Sequence, residues 1–300
     1  MPADPDVPAD LVFQSVFQLC VTIAGAVLCA CLAVVYLRKV RVERPAIGVF
    51  NGRDIGILVF FLATLPVIYL LLPRWAVTCL LALTFVSALS IGYRNLVGPL
   101  RLWLGIGLLL GLNIWLARTM LGTVLGWQLF WLEGDVIMVL AAVAVANLYV
   151  QGGMRLQHVA WFALGLAGYD IVFTMVFPLT NALVEDFLGW PLDPSFGMRL
   201  GIYNAALGLG DLLVYCLFLV ASYKAYGMRA ARVALVLVFV LGAVAPSLAP
   251  LIINFIDARG DVVVPAQTWF GPFAFLAYLW MRRRYGRERT MREFQLAAPV

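Results

Sequence analysis

Long apolar runs alternate with short polar breaks along this chain, and the breaks carry nearly all of the charge. The runs lie at about Leu11–Leu37, Ile55–Leu72, Trp75–Tyr93, Leu102–Ala117, Trp127–Val150, Leu156–Phe177, Leu200–Ser222, Ala230–Phe255 and Val262–Trp280. Each approaches the roughly 20 apolar residues that a helix needs to cross a bilayer. The pattern predicts an all-α integral membrane protein with nine transmembrane helices, forming a single polytopic domain over 1–300. Helices one to five occupy 1–155 and helices six to nine occupy 156–300, with a basic, partly disordered tail from about 281. Met120–Gly126 reads as a short interfacial stretch before helix five, and Pro178–Arg199 as a polar, proline-bearing loop. Pro246 and Pro250 interrupt run eight and predict a kink there.

Composition narrows the class. Sixty-four per cent apolar and twelve per cent charged residues leave no room for a soluble module. The net charge of +5 is not a nucleic-acid signature, because the basic residues cluster at the ends of the runs. With the N-terminus outside, only Arg74, Arg118, Arg199 and Arg259 fall on the outer side and every other basic residue falls inside. That bias predicts N-out, C-in, an orientation that an odd number of spans satisfies. Cys20, Cys29, Cys31, Cys79 and Cys216 all lie within apolar runs without metal spacing, so they read as buried small apolar residues. His158, the single histidine, has no cluster around it and reads as interfacial. No metal and no cofactor is expected. The first ten residues hold Asp4, Asp6 and Asp10 and no basic residue, so no cleavable signal peptide is expected. The absence of an Asn-x-Ser/Thr sequon favours a microbial cell membrane, with the endoplasmic reticulum as the alternative. Tryptophans near run ends read as interfacial anchors, and Asn113 and Asn147 as interhelical hydrogen-bond formers.

Two charges inside runs carry the candidate chemistry. Asp211 follows Gly208-Leu209-Gly210 in run seven, and Asp170 follows Tyr169 in run six. A carboxylate at such depth costs roughly 2.5–3.5 kcal/mol on insertion scales. The bland reading is a pair that holds two helices together. The two glycines favour function instead, since they let another backbone approach. Consecutive spans are antiparallel, and counting residues puts Asp170 about 10 Å and Asp211 about 17 Å from the same membrane face. Two carboxylates sharing a low-dielectric site cannot both ionise easily, which leaves one acid and one base. Such a pair can activate water and protonate a leaving amine, the chemistry of aspartic proteolysis. Which aspartate is the base stays open, because the pair titrates as a unit. Tyr169 points about 100° away from Asp170 and reads as a packing or hydrogen-bonding neighbour. Glu133 and Asp135 form a rival pair in run five, but residues two apart do not share a helix face and both are expected to reach the interface.

Tyr169-Asp170 and Gly208-Leu209-Gly210-Asp211 resemble the YD and GxGD motifs of the presenilin and signal peptide peptidase family of intramembrane aspartyl proteases. The stretch Leu207–Tyr226 is similar to that family's seventh helix and following loop. The resemblance implies nine helices, with Asp170 and Asp211 catalytic on the sixth and seventh. It also implies a Pro-Ala-Leu element at the ninth helix. Here Pro265-Ala266-Gln267 stands in that place, matching at two positions and departing at Gln267, which puts substrate contact there in doubt. Pro246-Ser247-Leu248 is a competing match inside run eight. With the N-out orientation, the resemblance further implies transmembrane substrate proteins of type II orientation. The short loop Pro178–Arg199 lacks the long apolar cleavage segment of presenilin, so activity as a single uncut chain is expected, with a possible homo-oligomer. A different class is a proton- or ion-coupled transporter or channel using the same two aspartates. A prepilin-type peptidase would need a partner aspartate within the early runs, and their interiors hold none.

Overall fold

The computed structural model describes residues 9–42, 51–177, 179–197, 206–249 and 265–297. Helices dominate: α1 (Ala9–Lys39), α2 (Gly52–Leu71), α3 (Arg74–Tyr93), α4 (Pro99–Thr119), α5 (Val124–Gln151), α6 (Leu156–Asp170), α7 (Leu179–Phe187), α8 (Leu209–Tyr226), α9 (Met228–Leu237) and α10 (Ala266–Tyr285). A short helix, Met291–Ala297, follows. α6 continues as a π-helical stretch, Ile171–Val176, and α9 as another, Val238–Val244, before returning to α-helix over 245–249. A two-stranded antiparallel ribbon pairs β1 (Ser195–Phe196) with β2 (Leu207–Gly208), Ser195 opposite Gly208 and Phe196 opposite Leu207.

The polar breaks stop and start the helices for identifiable reasons. Pro73 caps α3 and Pro99 opens α4, positions where a missing N–H costs nothing. Thr123 caps α5, its side chain accepting the Gly126 N–H at 3.1 Å. Gly227 (φ 83°) and Gly286 (φ 81°) end α8 and α10 in the left-handed region that glycine adopts without a Cβ penalty.

Eight of these helices are long and apolar enough to cross a membrane, so the chain is a multi-pass, all-α membrane protein. The ninth expected span is α10, which has the length at 20 residues. Gln267, Thr268 and Arg282–Arg284 keep it below the apolarity of the other eight, and the valines 262–264 that extended its run lie outside the described residues. α8 is the central helix: 67 % of its apolar window is buried, against 11 % for α2 at the periphery. α8 packs on α1, α5, α6, α9 and α10, while α10 lies along α6 in the most extensive pairing of the fold. Large side chains such as Phe60, Leu71 and Leu108 point outward, as a lipid-solvated surface allows.

Several expectations are corrected. Run seven does not begin as helix at Leu200: residues 200–205 lie outside the described residues, 207–208 form β2, and α8 starts at Leu209. α5 starts at Val124, so only the turn before it remains of the interfacial stretch. The loop after α6 contains α7 and β1. Of the cysteines, only Cys29 and Cys216 are buried; Cys20 and Cys79 are exposed and Cys31 is intermediate. The basic tail is not loose where it is described, since α10 runs on to Tyr285 and residues 286–290 dock onto α6 and α8 before the last helix. Of the two prolines in run eight, Pro246 sits just past the π-helical stretch and Pro250 lies outside the described residues.

Candidate active site

Both candidate aspartates stand where a regular helix begins or ends. Asp170 is the last residue of α6 before the backbone widens into the π-helical stretch. Asp211 is in the first turn of α8, directly after β2, and not in mid-helix as its run implied. There its Oδ2 accepts the Gly208 N–H at 3.0 Å, filling one of the free first-turn donors of α8.

The residue that joins the two is Gln267. Pro265 caps α10, so Gln267 sits in its first turn with a backbone N–H that no helical carbonyl can accept. That N–H donates to Asp170 Oδ2 at 2.9 Å, and the Gln267 side-chain Nε2 donates to Asp211 Oδ1, also at 2.9 Å. Gln267 is 2 % exposed, while the two aspartates it meets are half-buried. The position that departs from Pro-Ala-Leu is thus the one that holds both carboxylates. Pro265-Ala266-Gln267 is the element at the dyad; Pro246-Ser247-Leu248 lies in the helical segment over 245–249 and its approach.

Packing explains why α10 reaches this depth. A Cβ on Gly271 would overlap the Ala163 carbonyl oxygen and press on the Ala167 methyl, so only glycine lets α10 lie against α6 here. Phe270 is fully buried against α8, its ring 4.9 Å from Tyr215 and 5.5 Å from Phe218. Tyr215 in turn fills the space left by Gly242 in the second π-helical stretch. Tyr169 packs against Phe173 with ring centroids 4.8 Å apart and planes tilted by 44°, and is half-buried. Among the described residues, nothing lies within 4 Å of a Cβ placed on Gly210, and one on Gly208 meets only Asp211 Oδ2 and the Gly210 nitrogen, so neither glycine is the seat of a close helix approach there.

The ribbon before Asp211 is braced from the N-terminal half. Gly197 N–H donates to Asp135 Oδ1 at 2.8 Å, and Leu209 N–H donates to the Pro194 carbonyl at 3.0 Å. Asn113 accepts the Leu192 N–H at 2.7 Å and donates to Glu133 at 2.5 Å. Glu133 and Asp135 therefore do not reach an exposed interface; both are buried and support the loop that leads to β2. Asn147 bridges helices as expected, donating to the Ala33 carbonyl of α1 at 3.0 Å.

At the opposite end of α6, Glu288 accepts the Leu156 and Gln157 N–H groups at 2.9 and 3.0 Å. Arg289 donates to the Tyr223 and Ala225 carbonyls at the end of α8, each at 3.2 Å. His158 accepts the Arg155 N–H at 3.5 Å in the same region. Two cavities of about 420 and 460 Å³ open near this end, lined by residues such as Arg155, Gln157 and Trp161, and neither touches the aspartates. Among the described residues no group of three or more His, Cys, Asp or Glu side chains could hold a metal ion.

No protein-family model matches this chain, and no curated protein matches it. The functional reading rests on the residues alone. Sequence reasoning missed the tether by Gln267 and the close approach at Gly271. A glycine four residues after a first-turn glutamine, on a helix opened by proline, was the available signal.

Proposed function

We propose that the protein is an intramembrane aspartic endopeptidase that hydrolyses peptide bonds within transmembrane segments of other proteins. The observation that carries this reading is the tether of Asp170 and Asp211, from separate helices, to a single buried glutamine. Both aspartates stand at the ends of regular helix and are half-buried. The YD and GxGD motifs agree with the same chemistry.

In this reading the dyad shares one proton. The ionised member takes a proton from water, whose oxygen bonds to the scissile carbonyl carbon, while the protonated member gives its proton to the carbonyl oxygen. The diol then collapses: the member that took the proton of water gives it to the nitrogen as the C–N bond breaks, and the other member takes one back from a diol hydroxyl. A substrate helix must unwind first, because its carbonyls are otherwise hydrogen-bonded. β2 ends at Gly208, three residues before Asp211, and an unwound segment laid along the ribbon would gain main-chain hydrogen bonds while it passes the dyad.

α10 serves as the ninth span, the orientation is N-out and C-in, and the substrates are type II proteins of the same membrane. That membrane is a microbial cell membrane, with the endoplasmic reticulum as the alternative. The test is cleavage of a single-span type II substrate in liposomes by wild type, Asp170→Asn and Asp211→Asn. Each substitution is expected to lower the rate on the order of 10²–10⁴-fold. Full cleavage by either variant would place the chemistry elsewhere. A wild type that conducts ions through these aspartates and cleaves nothing would make the protein a transporter or channel.

A further inference from the structure

We infer that Gln267 is a positioning residue that assigns the two aspartates different roles, keeping Asp211 as the carboxylate that takes the proton from water and leaving Asp170 to carry the shared proton. The inference rests on the proteolytic reading and deepens it.

The two aspartates differ in the number of N–H donors they receive. Each oxygen of Asp211 receives an N–H: Oδ2 from Gly208 at 3.0 Å and Oδ1 from the Gln267 side chain at 2.9 Å. A proton on either oxygen would weaken the bond that oxygen accepts, so the pair of donors favours the ionised form. Asp170 receives one N–H among the described residues, on Oδ2, from the Gln267 backbone. Its Oδ1 is left for the proton. The other titratable groups facing Asp211 are Asp170 and Tyr169 from α6 and Tyr215 one turn along α8. On the far side of α8, Cys29 of α1 meets Cys216 at 3.4 Å, more than a turn beyond Asp211, and Lys224 lies at the opposite end of the helix. Neither tyrosine is a cation, so the amide donors set the balance.

A second observation concerns the other end of the same amide. Gln267 Oε1 is buried and has no hydrogen-bond partner among the described residues. An unpaired buried acceptor is costly. Half-way through the reaction the roles invert: Asp211 has gained the proton of water, and Asp170 has given its proton to the carbonyl oxygen. Rotating the Gln267 amide by half a turn then presents Oε1 to the new Asp211 O–H. When the C–N bond breaks, Asp211 gives its proton to the nitrogen, Asp170 takes one back from a diol hydroxyl, and the amide returns. One water is consumed and the dyad is restored. A leucine could hold the backbone bond to Asp170 but could serve Asp211 in neither state.

The test uses the full chain in liposomes and compares wild type, Gln267→Leu and Gln267→Glu across pH, with Asp170→Asn and Asp211→Asn as the arm that tests proteolysis itself. In Gln267→Leu, kcat is expected to fall at least about tenfold with KM little changed. The acidic limb of the profile is expected to move to higher pH, because a carboxylate that loses a donor takes up its proton more readily. In Gln267→Glu, activity is expected to recover as pH falls, since a protonated glutamate donates where an ionised one repels Asp211. Melting of each variant in detergent separates misfolding from lost positioning, and Gln267→Glu supplies the reading if Gln267→Leu fails to fold. A loss that is uniform across pH in both variants, or no loss, would overturn the inference while leaving the protease intact. Cleavage that survives both aspartate substitutions would overturn the proteolytic reading and this inference with it.

Discussion

Asp170 and Asp211 were legible in the sequence because a charge inside an apolar run has no cheap explanation. The tether by Gln267 was not legible. The sequence marks Gln267 only as the position that departs from Pro-Ala-Leu, and its contact with both aspartates comes from where α10 lies against α6. Gly271 sets that approach. Adding one methyl there forces the Ala163 carbonyl and the Ala167 methyl to move, which costs about 1–3 kcal/mol in a packed interface. Gly271→Ala is expected to lower the melting temperature in detergent and, on the proteolytic reading, to lower cleavage more than its stability loss accounts for, because Gln267 is carried away from both aspartates. Unchanged cleavage in a folded Gly271→Ala protein would mean that the dyad does not depend on the tether.

At the scale of elements, the first six runs were read to within about three residues at most ends, since run length and proline or glycine breaks decide them. The start of α8 was misplaced because apolarity alone cannot separate a buried strand from a buried helix. What fixes β2 is long-range: β1 pairs with it, Asp135 holds Gly197 beside β1, and Phe196 packs its ring over Gly25 of α1. The rival acidic pair of run five thus turns out to brace the element that delivers Asp211. Asp135→Ala leaves the Gly197 N–H without that acceptor and is expected to cost about 1–3 kcal/mol. On the proteolytic reading it should slow cleavage although Asp135 does not belong to the proposed dyad. Hydrogen exchange at 195–197 is the direct check, and exchange as slow as in wild type would count against the brace.

Across the whole molecule, the apolar runs foretold a multi-pass helical membrane protein, while the docked tail was hidden. Arginine-rich segments after a span read as solvated chain, and only the fold shows Glu288 seated on the first turn of α6 and Arg289 on the last carbonyls of α8. Each charge meets the end of the helix dipole that suits it. The short helix that follows is closed by Thr290 and Glu293, whose side chains each accept the other's backbone N–H. Glu288→Ala removes two hydrogen bonds to a charged group and is expected to cost about 1–3 kcal/mol, with a matching drop in melting temperature and faster proteolytic nicking of the tail. A tail equally protected in that variant would show that Arg289 alone suffices. The same arrangement bears on when the site comes into being. Gln267 stands 97 residues after Asp170 and 56 after Asp211, and Glu288 stands 132 after the residue it caps. A chain still emerging from the ribosome therefore inserts both aspartates into the bilayer long before it possesses what tethers them. On the proteolytic reading, a copy whose synthesis has not reached Gln267 is harmless to its neighbours, because it carries both aspartates without the residue that joins them.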